Sequence, residues 1–245
     1  MTSGIEWTDE TWNPVAGCSA ISPGCKHCYA ARIAARLAAM GGGTGARYAG
    51  LTQPAKAGPV WTGSVRLNET ALDKPRRWRR PRRIFVNSMS DLFHKDIPRA
   101  FIDRVFDVME RADRYVYQVL TKRSSPMRNY VRARYAGGPV PRHIWIGVSV
   151  EDAAHIGRIG HLKRVDSEAR FVSFEPLLGS VDEVDLRGIA WARVRPRCAT
   201  HASRVGATAL PSSSNNGVDA TRKGPAALST AANGTNTPAK RQEKP

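Results

Sequence analysis

Between residues 84 and 176 the sequence repeats one unit: a short apolar run, a polar tip, then a stretch with helical spacing. Ile84-Phe85-Val86 ends in Asn87-Ser88-Met89-Ser90-Asp91, and Tyr115–Leu120 ends in Thr121-Lys122-Arg123. His143–Val148 ends in Ser149-Val150-Glu151, and Arg170–Phe174 ends in Glu175-Pro176. Pro98 opens an amphipathic segment to Ala112, with Phe101, Val105, Val108 and Met109 near helical spacing. Further helices are predicted from about Ser125 to Tyr135 and from Glu151 to about Val165, and Ile189-Ala190-Trp191 begins one more strand. A strand, tip and helix recurring at roughly thirty residues is the pattern of parallel βαβ units, hence an α/β fold. Such units curl into an open doubly wound sheet or into a barrel.

Both architectures gather function at the C-terminal strand ends. Ser88, Ser90, Asp91, Lys122, Arg123, Ser149, Glu151 and Glu175 project there. Taken singly, the Ser, Asp and Glu tips also suit the start of a helix, so the weight lies in their convergence. A first strand is expected near Trp12–Ala16, so the segment that follows it opens onto the same rim.

That segment holds three of the four cysteines, Cys18, Cys25 and Cys28, with six residues between the first two and two between the last two. Thiolates suit zinc or iron–sulfur clusters. Zinc as a structural ion wants four protein ligands, so His27 or a distant residue would have to join. A cluster held by three cysteines instead leaves one iron open. Pro23-Gly24 signals a turn, and Tyr29–Met40 reads as a helix whose N-terminal amides favour thiolate and sulfide charge. The odd count within the loop and the lack of a secretion signal argue against a disulfide. Gly41–Gly45 reads as a connector: it follows a helix and lacks a Walker lysine. Ser64–Leu67 is expected as a short strand.

No run of eighteen apolar residues occurs, and together with three reduced thiols this points to a cytoplasmic, reducing setting. The formal charge is +17. Residues 192–245 contribute nine Lys/Arg against two Asp/Glu, leaving +10 for residues 1–191. Two regions follow: an α/β domain over 1–191 and a basic, low-complexity tail over 192–245 expected to be disordered. Cys198 and His201 lie three apart in that tail and are left out of the site. The charge suggests nucleic acid, or a nucleotide-like substrate, as partner. Its densest stretch, Arg76-Arg77-Trp78-Arg79-Arg80-Pro81-Arg82-Arg83, could follow a phosphate backbone and stack Trp78 on a base, or be a solvated helix end.

Several segments together resemble a phage-associated family, the gp thirty-seven/gp sixty-eight proteins, a domain of unknown function. They are Trp12-Asn13-Pro14, the loop from Gly17-Cys18 to Cys28-Tyr29-Ala30, Phe85–His94, Leu120–Arg123, Trp145–Glu151 and Phe171–Gly179. That family is in turn similar to radical S-adenosylmethionine enzymes. The resemblance implies a partial (β/α) barrel and a [4Fe-4S] cluster on Cys18, Cys25 and Cys28, with S-adenosylmethionine on the fourth iron as source of a 5′-deoxyadenosyl radical. Ser88, Ser90, Asp91, Ser149 and Glu151 become candidates to hold the cofactor, and Lys122, Arg123 and Glu175 candidates to face substrate. Two features depart from the radical enzymes, whose loops have three residues between the first two cysteines and carry a glutamate after the glycine run. Beyond Trp191 the family's Gly-Gly-Glu-Ser-Gly stretch is also absent, so a final strand is expected to be missing. The alternative expectation is a zinc- or cluster-stabilised nucleic-acid-binding or interaction protein without catalysis.

Overall fold

A computed structural model describes residues 5, 7–181, 184–196 and 207–208. The repeat forms a six-stranded parallel sheet: β1 (Glu10–Trp12), β2 (Arg83–Val86), β3 (Val116–Thr121), β4 (Ile144–Ser149), β5 (Arg170–Leu177) and β6 (Trp191–Pro196). Each strand pairs with its predecessor, so spatial order follows chain order. A doubly wound sheet needs a reversal of order; this one has none. The edge strand β6 carries the sheet past residue 191 to Pro196.

Strand alternation sorts the side chains onto two faces. Ile84, Val86, Tyr117, Val119, Ile144, Ile146, Val148, Val172 and Phe174 join one buried cluster with the helices. Those helices are α2 (Arg99–Arg111), α3 (Ser124–Arg134) and α4 (Gly157–Lys163). The predicted spacing holds in α2, where Phe101, Ile102, Val105, Phe106, Val108 and Met109 are buried. On the solvent side of α2 and α3, Arg134 bridges Asp103 and Glu110 at 3.4 and 2.9 Å.

The alternate positions face the other way and are of two kinds. Toward the N-terminal ends they are aromatic: Trp7, just before β1, packs against Phe85, Phe171 and Trp191 with ring centroids 4.7, 6.2 and 5.8 Å away. Toward the C-terminal ends they are polar, with Ser149 in register with Ser173, and Ser173 with Arg193. Gly147 lies opposite Phe171, whose ring fills the space its missing side chain leaves.

Two expectations are corrected. Trp12–Ala16 is not one strand: β1 ends at Trp12, and Val15–Ala16 pairs antiparallel with Arg66–Leu67. Pro14 has no N–H for a ladder and so breaks the run. The Gly41–Gly45 connector is instead largely the start of a helix, Gly42–Tyr48, packed on α1 (Tyr29–Ala39). A Cβ at Gly45 would stand 3.1 Å from the Leu37 carbonyl oxygen, so glycine permits this approach. Ala207–Thr208 pair in parallel with Val184–Asp185; the rest of the basic tail beyond Pro196, including Cys198 and His201, lies outside the described residues. Among the described residues no helix is long and apolar enough to cross a membrane.

Substituting Gly147 tests the inner aromatic layer. A Cβ there would sit under 3.0 Å from three Phe171 ring carbons. Gly147→Ala is expected to destabilise the fold by about 1–3 kcal/mol, read as a lowered urea midpoint with unchanged slope.

Candidate functional site

The segment Gly17–Cys28 lies over the C-terminal strand ends because both its backbone and its side chains are held there. Gly17 adopts φ 91°, and its N–H donates to the Met89 carbonyl at 3.2 Å, bridging the loop to Ser90. Pro23–His27 forms a 3-10 turn, and Cys28 is both its C-cap and the N-cap of α1. The turn and helix read from Pro23-Gly24 and Tyr29 are therefore present.

Two clamps fix this loop to the strand tips. In the first, the Asp91 carboxylate accepts from Thr121 Oγ1 at 2.7 and 2.9 Å, from the Phe93 N–H at 3.0 Å and from the Lys122 N–H at 3.2 Å. It also accepts from Arg123 Nη1 at 3.1 Å. Held so, Arg123 donates through Nη2 to the Ser19 carbonyl at 3.0 Å and Ser19 Oγ at 2.8 Å, and through Nη1 to Cys18 Sγ at 3.6 Å. Ser19 Oγ also meets His94 Nε2 at 2.8 Å. The Asp96 N–H donates to His94 Nδ1, so Nε2 carries the proton of the neutral ring. Burial, reinforced by the Arg123 charge, holds His94 below the ordinary histidine value.

In the second clamp the fully buried Glu151 carboxylate pairs through Oε1 with Lys122 Nζ and accepts from Ser22 Oγ at 2.9 Å. Gly24 lies directly against this pair, and a Cβ there would overlap Glu151 Oε1. Glu151 Oε2 is buried with no hydrogen-bond partner, and His155 Nδ1 lies 4.0 Å from it. Arg158, 8% exposed, donates to the Ser149 carbonyl at 2.7 Å. Burial lowers its pKa, with Cys25 acting in the opposite sense.

The thiols differ in consequence. Burial and then Asp91 push Cys18 up to about 12, and Cys28 is near enough to oppose its ionisation as well. Burial alone would raise Cys25 too, but backbone hydrogen bonding at Ile21 and Ser22 and the Lys122 charge outweigh it and leave Cys25 lowered. All three are free and half-buried. Among the described residues no three His, Cys, Asp or Glu side chains are grouped to hold a metal ion.

Of the residues expected from sequence, Arg123 and Glu151 bond the cysteine loop, Lys122 lies beside Gly24 of it, and Asp91 acts on it through Arg123. Ser88 binds Asn13 Oδ1 through its hydroxyl at 3.2 Å, while its carbonyl accepts from Tyr29 OH at 3.1 Å. Ser90 Oγ is buried without a partner. Ser149 Oγ donates to the Glu175 carbonyl at 2.8 Å, so these two meet each other. Sequence reasoning did not assign Ser19, Ser22, Gly24, His94 or Arg158. His94 ends the Phe85–His94 segment and the first three lie between the cysteines, whereas nothing local distinguishes Arg158. Beside the loop opens a cleft of about 350 Å³ lined by Ser19, Ile21, Phe93, His94, Arg123 and Tyr130, among others.

Fold and site thus define an α/β protein with a three-cysteine loop clamped over the C-terminal end of a parallel sheet. A family model described as a protein of unknown function (DUF5131) matches residues 2–200, and the chain belongs to that family. No curated protein and no solved structure matches it.

Two outcomes follow from the clamps. Lys122→Met strands the Glu151 carboxylate and should cost about 3–5 kcal/mol in chemical denaturation, with much of the loss recovered in Lys122→Met/Glu151→Gln. In the metal-free protein, iodoacetamide should label Cys25 well before Cys18 as pH rises from 6 to 9, because only the thiolate reacts. Peptide mass spectrometry reads the order; equal labelling would remove the assigned difference.

Proposed function

We propose that the chain is a radical-S-adenosylmethionine-like iron–sulfur enzyme, with Cys18, Cys25 and Cys28 as ligands of a [4Fe-4S] cluster. One observation carries this reading: free thiols sit beside buried cations, over strand ends whose buried polar atoms lack partners. Asn87 Nδ2, Ser90 Oγ, Glu151 Oε2 and Ser173 Oγ are all buried and unpaired. Each such group costs about 1–3 kcal/mol, a cost relieved by water or a polar ligand.

The donor set fits a cluster better than a single zinc. A structural zinc site takes four protein ligands, one more than the three thiols of the loop. A cluster of the proposed kind leaves one iron without a protein ligand. When bound together with S-adenosylmethionine, a cluster of this kind supplies an electron for reductive cleavage of the cofactor.

The protein's own part is charge and position. Lys122, Arg123 and Arg158 offset the negative charge of three thiolates. Asp91 holds Arg123 against Cys18, while Ser22 and Glu151 seat the turn that presents Cys25. Glu151 Oε2 and the Ser90 hydroxyl are groups suited to the ammonium and carboxylate of the cofactor, with Ser88, Ser149 and Asp91 shaping the surrounding rim. Lys122, Arg123 and Glu175 border the space left for a substrate, for which the basic balance favours a nucleotide-like anion.

A partial barrel agrees with the aromatic packing. Strands lie about 4.8 Å apart, so β2 and β6 of a flat sheet would be about 19 Å apart. Yet Trp7 reaches both Phe85 of β2 and Trp191 of β6, at 4.7 and 5.8 Å. A sheet that curls its edges toward one another accounts for this.

Anaerobic reconstitution with iron and sulfide should give a brown protein with about four irons, which forms 5′-deoxyadenosine and methionine from S-adenosylmethionine under a strong reductant. Cys25→Ala should abolish both properties. Zinc retention without iron or sulfide would instead support the non-catalytic, nucleic-acid-binding alternative.

A further inference from the structure

Seven of the ten residues from Lys74 to Arg83 are cationic. The structure puts them far from the cysteine loop. Arg83 begins β2 at its N-terminal end, whereas Asn87–Asp91, which meets the loop, follows the C-terminal end of the same strand.

The segment is held rigidly. Lys74–Arg77 is a single helical turn, and the Trp78 carbonyl that follows accepts from Arg114 Nη2 at 2.8 Å and from Tyr115 OH. Tyr115 is 1% exposed, so the fixing point belongs to the core. The Trp78 ring is already engaged, with Lys74 Nζ at 5.2 Å, the Arg82 guanidinium at 5.1 Å and Tyr115 edge-on at 5.9 Å. The half-buried tryptophan thus gathers cations of its own stretch around its ring.

The charge is unevenly neutralised. Glu10 meets Lys74 and Arg82 at 3.7 and 3.5 Å, Asp73 meets Arg76 at 3.3 Å, and Asp9 meets Arg83 at 3.7 Å. Arg77, Arg79 and Arg80 are exposed and have no carboxylate partner among the described residues. Three unpaired guanidiniums on an anchored turn repel one another in the free protein. A row of phosphates would relieve that repulsion and accept their forked N–H groups.

We propose that Arg77, Arg79 and Arg80 form a sequence-independent contact for the phosphate backbone of a nucleic acid, at the end of the sheet opposite the cysteine loop. Recognition is of the backbone, because guanidiniums that bond phosphate oxygens carry no sequence readout. A lipid surface fits less well. Peripheral membrane binding couples cations to inserted apolar side chains, and among the described residues the large exposed apolar ones are Ile21, Tyr29, Ile33 and Met40, on the cysteine loop and on or just after α1 instead. This surface stands apart from the proposed enzymatic activity and does not depend on it.

The test is fluorescence anisotropy of the full chain with two labelled 20-base-pair duplexes of unrelated sequence, across 50–300 mM salt. The basic tail is the same in every variant, so differences report on the patch. Both duplexes should bind alike. Arg77→Ser/Arg79→Ser/Arg80→Ser should weaken binding at 100 mM salt at least tenfold. It should also flatten the plot of log K against log salt by about 2–3, at roughly 0.9 for each phosphate no longer neutralised. The triple lysine variant keeps the charge and should keep most of the affinity and slope. Thermal melting confirms that the variants are folded, as expected for exposed positions. Absence of binding by the native chain, an unchanged slope in the serine variant, or tighter binding to phosphate-matched anionic vesicles than to either duplex would each overturn the proposal.

Discussion

The Glu151 carboxylate, buried at the tip of β4, is the constraint around which the cysteine end of the molecule is arranged. An ionised group out of water must be matched, and the matching is done by Lys122 from the neighbouring strand tip and by Ser22 from the loop. Its charge therefore joins two strands and the loop at one point. Gly24 follows from this, because only a residue without a side chain lets the turn approach so closely. Asp91 repeats the device one strand pair away, organising Arg123 for Cys18 and Ser19. The cysteines are thus positioned by ionic contacts that precede any metal.

These clamps also explain why three chemically identical residues are unlike in environment. Cys18 shares its arginine with the Asp91 carboxylate, whose charge opposes thiolate formation. Cys25 faces Lys122 and backbone donors, which favour it. One loop therefore holds a thiol whose ionisation its surroundings oppose and another whose ionisation they favour.

Much of the architecture was legible in the sequence because its signals are local. Apolar runs with polar tips located the parallel strands, and the spacing of Phe101 to Met109 located α2. Asp91, Lys122, Arg123 and Glu151 could be picked out because strand tips in such folds converge. What stayed hidden depends on partners distant along the chain. Arg158 looks like any helical arginine until the fold buries it beneath Ser149 and near Cys25. Glycines at 42, 43 and 45 read as a loop, yet close packing on α1 recruits them into a helix. The break at Asn13-Pro14 was visible as a residue pair, but its separation of two strands was outweighed by the surrounding apolar pattern. The arginine-rich stretch was plain in sequence; that the Trp78 ring lies beside Lys74 and Arg82 of the same stretch required the fold.

The seam formed by Trp7, Phe85, Phe171 and Trp191 joins nearly the first described residue to one of the last. On a ribosome these rings emerge in that order, and the first must wait for the fourth. Until β6 leaves the exit tunnel, the nascent chain carries an unsealed aromatic surface that other apolar segments, or a chaperone, can occupy. Completion of the sheet is therefore timed by the synthesis of β6.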